Sequence, residues 1–156
     1  MTYLAALLFI SALAMSARWT WWRSSLPGLR VLCYHKIGAP PCGSALKELW
    51  VSPKNFRAQV QYLLDQGYTT LLFSNLLKAF KENTPLPEKC VLITFDDGYE
   101  NNYLHAWPIL RDLGAKGNIF VVFNTIGKAN LWHNPASEPW VNMDTLEQLR
   151  EMQAGG

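Results

Sequence analysis

The chain opens on a stretch that is apolar on every side. From Met1 to Ala17 there is no charged side chain, and Leu4, Leu7, Leu8, Phe9, Ile10, Leu13 and Met15 dominate it. That is about the minimum for a membrane span, which takes roughly 17 to 25 residues. Trp19, Trp21 and Trp22, interleaved with Arg18 and Arg23, follow like an interfacial belt. Residues 1–23 therefore read first as an uncleaved anchor. A cleavable signal peptide is the alternative, since Ala12-Leu13-Ala14 is an acceptable small-x-small site although no Lys or Arg precedes the apolar run.

Beyond residue 30 short β-branched runs alternate with amphipathic stretches. The pattern predicts a strand over 30–37, then a loop over 38–49 rich in Gly, Pro and Ser. Ser52 and Pro53 suit the N-cap and first turn of a helix through Asp65, with Phe56, Val60, Tyr62, Leu63 and Leu64 on its apolar face and Gly67 as its stop. A strand over 68–73 and a helix over 74–81 come next, and Thr84-Pro85-Leu86-Pro87 breaks the pattern. An apolar strand over 91–95, a helix over 100–113, a strand over 118–123 and a polar loop through Asn142 complete it, with Asp144 and Glu147 expected to cap a last helix. This βαβα order implies an α/β fold on a parallel sheet with right-handed crossovers, either a barrel or a doubly wound sheet.

The chemistry gathers where the run Val91-Leu92-Ile93-Thr94-Phe95 ends in Asp96-Asp97-Gly98. Loops at the carboxyl ends of parallel strands carry reactive groups, because the scaffold fixes those groups without needing them for packing. Two adjacent carboxylates there must be solvated, hydrogen-bonded or neutralised by a cation. The competing reading is local: Asp97 as an N-cap, with Glu100 completing a capping box.

The string Thr94-Phe95-Asp96-Asp97-Gly98 resembles the first motif of the polysaccharide deacetylase family, the NodB-homology or carbohydrate esterase family 4 domain. Val31-Leu32-Cys33-Tyr34-His35-Lys36-Ile37 is similar to the first strand of its subgroup acting on poly-N-acetylglucosamine. Trp107-Pro108-Ile109-Leu110 and Gly114-Ala115-Lys116-Gly117-Asn118-Ile119-Phe120-Val121 resemble the helix and strand that follow. The resemblance covers residues 30–156 and implies the amino-terminal portion of a distorted (β/α) barrel, preceded by the transmembrane or signal helix. It implies metal-dependent hydrolysis of N-acetyl groups on a polysaccharide, with Asp97 as a metal ligand and Asp96 as the base that takes a proton from water. The metal is a divalent ion, zinc being the first choice.

In the family a histidine pair four residues apart follows the helix matching residues 144–153 here, and an arginine and a further histidine come later. None of these is in the 156 residues, so the chain as it stands is expected to be incomplete and inactive. The partners implied are an N-acetylated polysaccharide and, through the first helix, a membrane. Arg18, Arg23, Arg30 and Lys36 after the span favour a cytoplasmic domain by the positive-inside rule. The resemblance favours the outside, periplasm or cell surface, and is given the greater weight.

The three histidines divide. His35, at the end of the first strand, is a candidate for substrate contact, against a hydrogen bond to a neighbouring loop. His105 reads as structural. His133 reads as a loop residue, with lining a glycan groove beside Trp132 as its alternative. Composition adds exclusions: 49% hydrophobic and 13% aromatic residues argue against disorder, and a net charge of +2 argues against nucleic acid. Cys33, Cys42 and Cys90 lack zinc spacing and read as structural thiols, a Cys33–Cys90 bridge being open only if their strands are neighbours. Two other functions stay in view, a non-catalytic membrane-tethered glycan-binding protein or pseudoenzyme, and a hydrolase of small amides.

Overall fold

The structure, a computed structural model, describes residues 2–18 and 28–156. The Trp19, Trp21, Trp22 and Arg23 belt lies outside the described residues. Helix α1 (Thr2–Arg18) has 17 residues, about 26 Å at 1.5 Å each against roughly 30 Å of bilayer core. Among the described residues no helix is long and apolar enough to cross a membrane.

The sheet is organised by one strand. In β5 (Cys90–Phe95) all six residues are buried, as their unbroken apolar and β-branched run requires. On one edge it pairs in parallel with β1 (Arg30–Tyr34), from Arg30 opposite Val91 to Tyr34 opposite Phe95. The other edge is shared, with β4 (Thr69–Leu71) beside its first half and β6 (Asn118–Ile119) beside Thr94 and Phe95. Asn118 makes the handover: its Nδ2 donates to Leu71 O at 3.0 Å and Ile93 O at 3.2 Å, and its Oδ1 accepts from Phe73 N at 2.9 Å.

Alternation along β5 sends its side chains to two faces. Ile93 and Phe95 pack with Phe56 and Val60 of α2 (Pro53–Asp65) and with Ile109 and Leu110 of α4 (Trp107–Leu113). Tyr34, Phe56 and Phe95 form an aromatic trio with centroids 5.1 to 5.8 Å apart. Cys90 and Leu92 face the other way, against Leu71 and against Leu76 of α3 (Phe73–Glu82). Helix α2 starts as expected, Ser52 Oγ accepting from Asn55 N at 3.2 Å with Pro53 in the first turn.

Four expectations are corrected. The single strand over 30–37 is interrupted at His35; Lys36–Ile37 form β2, which pairs in parallel with β3 (Trp50–Val51) in a separate small sheet. The strand expected over 118–123 ends at Ile119, although Phe120 N still donates to Phe95 O at 2.8 Å. Helix α5 (Leu146–Gly155) is capped by Thr145 and Gln148, bonded reciprocally at 3.2 and 2.7 Å, so Asp144 and Glu147 are not the cap. Cys33 stands opposite Thr94, not Cys90, and all three cysteines are free thiols. The helix over 100–113 contains a wider π turn at Asn102–Ala106. Pro108, just beyond, lacks the N–H that a regular helix would use there.

Candidate functional site

Asp96 and Asp97 leave the carboxyl end of β5 half-buried and side by side, with different surroundings. Asp96 extends the sheet by one bond, its N–H donating to Tyr34 O at 2.9 Å. Its Oδ2 accepts from Cys33 Sγ at 3.2 Å. Burial, then the Asp96 carboxylate through that bond and its charge, pushes the Cys33 thiol above its ordinary value.

Asp97 turns the chain out of the sheet in the left-handed region, at φ 73°, and Gly98 follows at φ 81°. A side chain at Gly98 would meet Val121 Cγ1 at 2.9 Å, so the glycine is required both for its conformation and for the close approach of the segment after β6. Asp97 is therefore not an extended N-cap. The Glu100 carboxylate is engaged elsewhere, accepting from Asn142 Nδ2 at 3.0 Å and Gln148 Nε2 at 3.1 Å, so the capping-box reading falls.

Behind Asp97 stands Tyr99, fully buried. Its hydroxyl is close to the Asp97 carboxylate and the Asn130 amide but makes no hydrogen bond of good geometry to either. Burial first, then the negative charge of Asp97, raises the phenol well above its usual value. Lys36 Nζ lies 4.7 Å from the Tyr99 ring centroid and 5.2 Å from that of Trp50. Its ion partner is Glu138, at 3.2 Å, with both side chains buried. Glu138 also accepts from Ser44 Oγ at 2.7 Å and Leu46 N at 3.1 Å. Burial opposes ionisation of Glu138, and these bonds with that of Lys36 outweigh it, holding the carboxyl below its ordinary range.

Asp144 is the unexpected acid. It is 1% exposed, and neither carboxylate oxygen has a hydrogen-bond partner. Burial, and next the charge of Glu100, lifts it to about 7. Its backbone N–H donates to Gly98 O at 2.8 Å, which ties it to the motif loop.

The structure thus brings Asp96, Asp97 and His35 to one end of the sheet. His35 is half-buried just after β1, and its carbonyl accepts from Asn102 Nδ2 at 3.0 Å. His105 lies in the π turn beside Gly38, and the His133 ring is tilted against that of Trp132, 5.9 Å between centroids. Sequence reasoning missed Cys33, Tyr99 and Asp144. Strand alternation could have found Cys33, because parallel pairing of 30–34 with 91–95 puts it on the face of Thr94 and Asp96. Among the described residues no three His, Cys, Asp or Glu side chains converge to hold a metal ion. Asp97, with Asp96 beside it, is short of the three protein ligands that a catalytic zinc takes. An apolar groove of about 480 Å³ between α4, β6 and α5, lined by Leu110, Ile119, Val121, Leu149 and Met152, includes neither aspartate.

Known proteins match the stretch that carries the two aspartates. The polysaccharide deacetylase family model matches residues 83–156. YxkH of Bacillus subtilis, a candidate polysaccharide deacetylase, is 39% identical over 138 residues, which is 87% of this chain and 43% of the relative. The poly-beta-1,6-N-acetyl-D-glucosamine N-deacetylase of Staphylococcus epidermidis is 30% identical over 111 residues, 71% of this chain and 36% of the relative. Among solved structures, IcaB from Ammonifex degensii superposes with a TM-score of 0.69 at 30% identity, over 85% of this chain and 51% of that one. The chain spans less than half the length of these two curated relatives.

Proposed function

Since the chain belongs to the polysaccharide deacetylase family, matching the amino-terminal portion of its domain, we propose that its site serves the hydrolysis of N-acetyl groups on a polymer of N-acetylglucosamine. The observation that carries this reading is the unequal pair at the end of β5. Asp96, set in line with the sheet and hydrogen-bonded by Cys33, is the acceptor of a water proton. Asp97, turned outward in the left-handed conformation, is one ligand of a divalent metal, with zinc the first choice. The metal supplies an activated water and charge stabilisation when bound. Its remaining ligands are not among the described residues, and on that ground the 156 residues alone do not turn over. His35, at the same end of the sheet, is a contact for substrate.

Residues 30–156 then form the amino-terminal portion of the deacetylase domain, and residues 1–23 an anchor or signal that places it outside the cytoplasmic membrane. Support for the anchor is helix α1, free of charged side chains up to Ala17, whose Leu4, Leu7, Leu8, Phe9, Ile10 and Leu13 are all more than half exposed. A second reading, a glycan-binding protein without catalysis, is favoured by the lack of a three-ligand cluster among the described residues.

The deciding experiment measures acetate release from a β-1,6-linked N-acetylglucosamine oligomer by two proteins. One is the chain as given; the other is the chain joined to the part of Bacillus subtilis YxkH beyond the matched stretch. Silence from the first, with chelator-sensitive release by the second that Asp97→Asn abolishes, supports the reading. A folded, metal-loaded fusion that releases no acetate counts for the binding protein instead.

A further inference from the structure

The loop over 130–142 is tied down at both ends and in its middle. Asn130 N donates to Val141 O at 3.1 Å, and Val141 N to Asn130 Oδ1 at 2.6 Å. Met143 forms an antiparallel bridge with Tyr99, and Ala129 one with Asn142. Midway, Glu138 is locked to Lys36, Ser44 and Leu46, and Ser137 O accepts from Ala45 N at 3.1 Å. A loop so anchored could have turned its large apolar residues inward. It leaves Trp132 43%, Trp140 49% and Leu131 55% exposed.

Neither tryptophan is loose. The Trp132 ring lies 6.2 Å from the Tyr99 ring, and Trp140 Nε1 donates to His133 O at 2.9 Å, which fixes its indole to the residue next to Trp132. Tyr99 in turn has its hydroxyl beside Asp97. One ring therefore separates Trp132 from the Asp97 carboxylate.

We propose that Trp132, supported by Trp140, is a stacking platform for a sugar ring of the polymer adjacent to the unit presented to Asp96 and Asp97. This rests on the deacetylase reading and names how the chain grips its substrate. A pyranose has a flat apolar face of C–H groups and a polar rim, which suits an exposed indole on a rigid support. Such a ring offers broad amphipathic contact at little cost in conformational entropy. Charge points to the same ligand. From Ala129 to Asn142 the one residue with a formal charge at neutral pH is Glu138, and it is buried in its ion pair. The exposed surface is neutral, fitted to an uncharged N-acetylated glycan and not to an anionic polymer.

Binding of a β-1,6-linked N-acetylglucosamine pentamer to the 156-residue protein, followed by calorimetry, tests this without any turnover. Trp132→Ala should weaken binding by about tenfold or more. Trp132→Phe should keep it within about threefold, and Phe80→Ala, at an exposed position on α3, should leave it unchanged. Melting temperatures establish that each variant is folded. An unchanged dissociation constant in a folded Trp132→Ala, or no binding of the pentamer by the wild type at millimolar concentration, overturns the platform. Acetate release by the fusion judges the deacetylase reading separately. If the fusion is active but Trp132→Ala leaves its KM as in the wild type, the platform alone fails.

Discussion

Lys36 and Glu138, 102 residues apart in sequence, meet at 3.2 Å with both side chains buried. The pair joins β2 to the loop that carries Trp132, and its ammonium is sandwiched between the Trp50 and Tyr99 rings. Removing one partner strands a buried charge. Glu138→Gln should therefore destabilise the protein by about 3–5 kcal/mol, whereas Lys36→Met combined with Glu138→Leu should restore most of the loss. Denaturant unfolding of the three variants checks this, and a neutral Glu138→Gln would show that the pair contributes nothing.

Asp144 should give the protein a stability that declines with pH. Its folded value of about 7 lies above the ordinary 3.8, so the folded state holds a proton that the unfolded state has released. The contribution is complete below about pH 4 and is lost as pH rises through 7, by about 4 kcal/mol at most. Asp144→Asn should flatten that slope and melt higher than wild type at pH 8. Parallel pH profiles for the two proteins would contradict the assignment.

The contact between Cys33 and Asp96 can be followed through the thiol. Burial and the carboxylate raise the Cys33 value, so Asp96→Asn should lower it and speed alkylation of Cys33 at mildly alkaline pH. Cys42, an exposed thiol, serves as the internal control. Peptide mass mapping of the labelled protein reads both rates, and equal acceleration at the two cysteines would point to loosening of the fold instead.

Asp97 holds a conformation that suits glycine better. Asp97→Gly should leave stability unchanged or raise it by up to about 1 kcal/mol, while Gly98→Ala should cost more than that because of Val121. In the fusion protein Asp97→Asn should lose metal and turnover together. Asp96→Asn should keep metal near the wild-type level and lose roughly 100-fold in turnover. Equal metal loss in both variants would remove the division of roles.

Much of this was legible in the sequence, for reasons that differ by element. The buried run of β5, the Ser52-Pro53 start of α2 and the pair of aspartates at a strand end are written in consecutive residues, so local pattern suffices. Lys36 and Glu138 are not, since nothing near either residue announces its partner. The two-residue strands β2, β3 and β6 are too short to show a period, and their pairing is fixed by tertiary contacts. Asp144 was misread by a single position: Asp and Thr are both good caps, and Gln148 decides for Thr145 because its side chain returns to that backbone N–H.

Asn118 has a wider consequence than its place in a two-residue strand suggests. A carboxamide is a peptide group detached from the main chain, with one donor face and one acceptor face. At this position it stands in for the stretch of backbone missing between β4 and β6. It adds a donor to two carbonyls and an acceptor to one N–H at the point where β4 gives way to β6. Aspartate would set a negative charge against both carbonyls, and leucine would take from Phe73 N its acceptor. Because of that one side chain, β5 can have one neighbour at its base and another at its reactive end. The segment that presses Val121 against Gly98 can then take its course independently of β4, and the shape of the turn at Asp97 is set in part by a residue that touches neither aspartate.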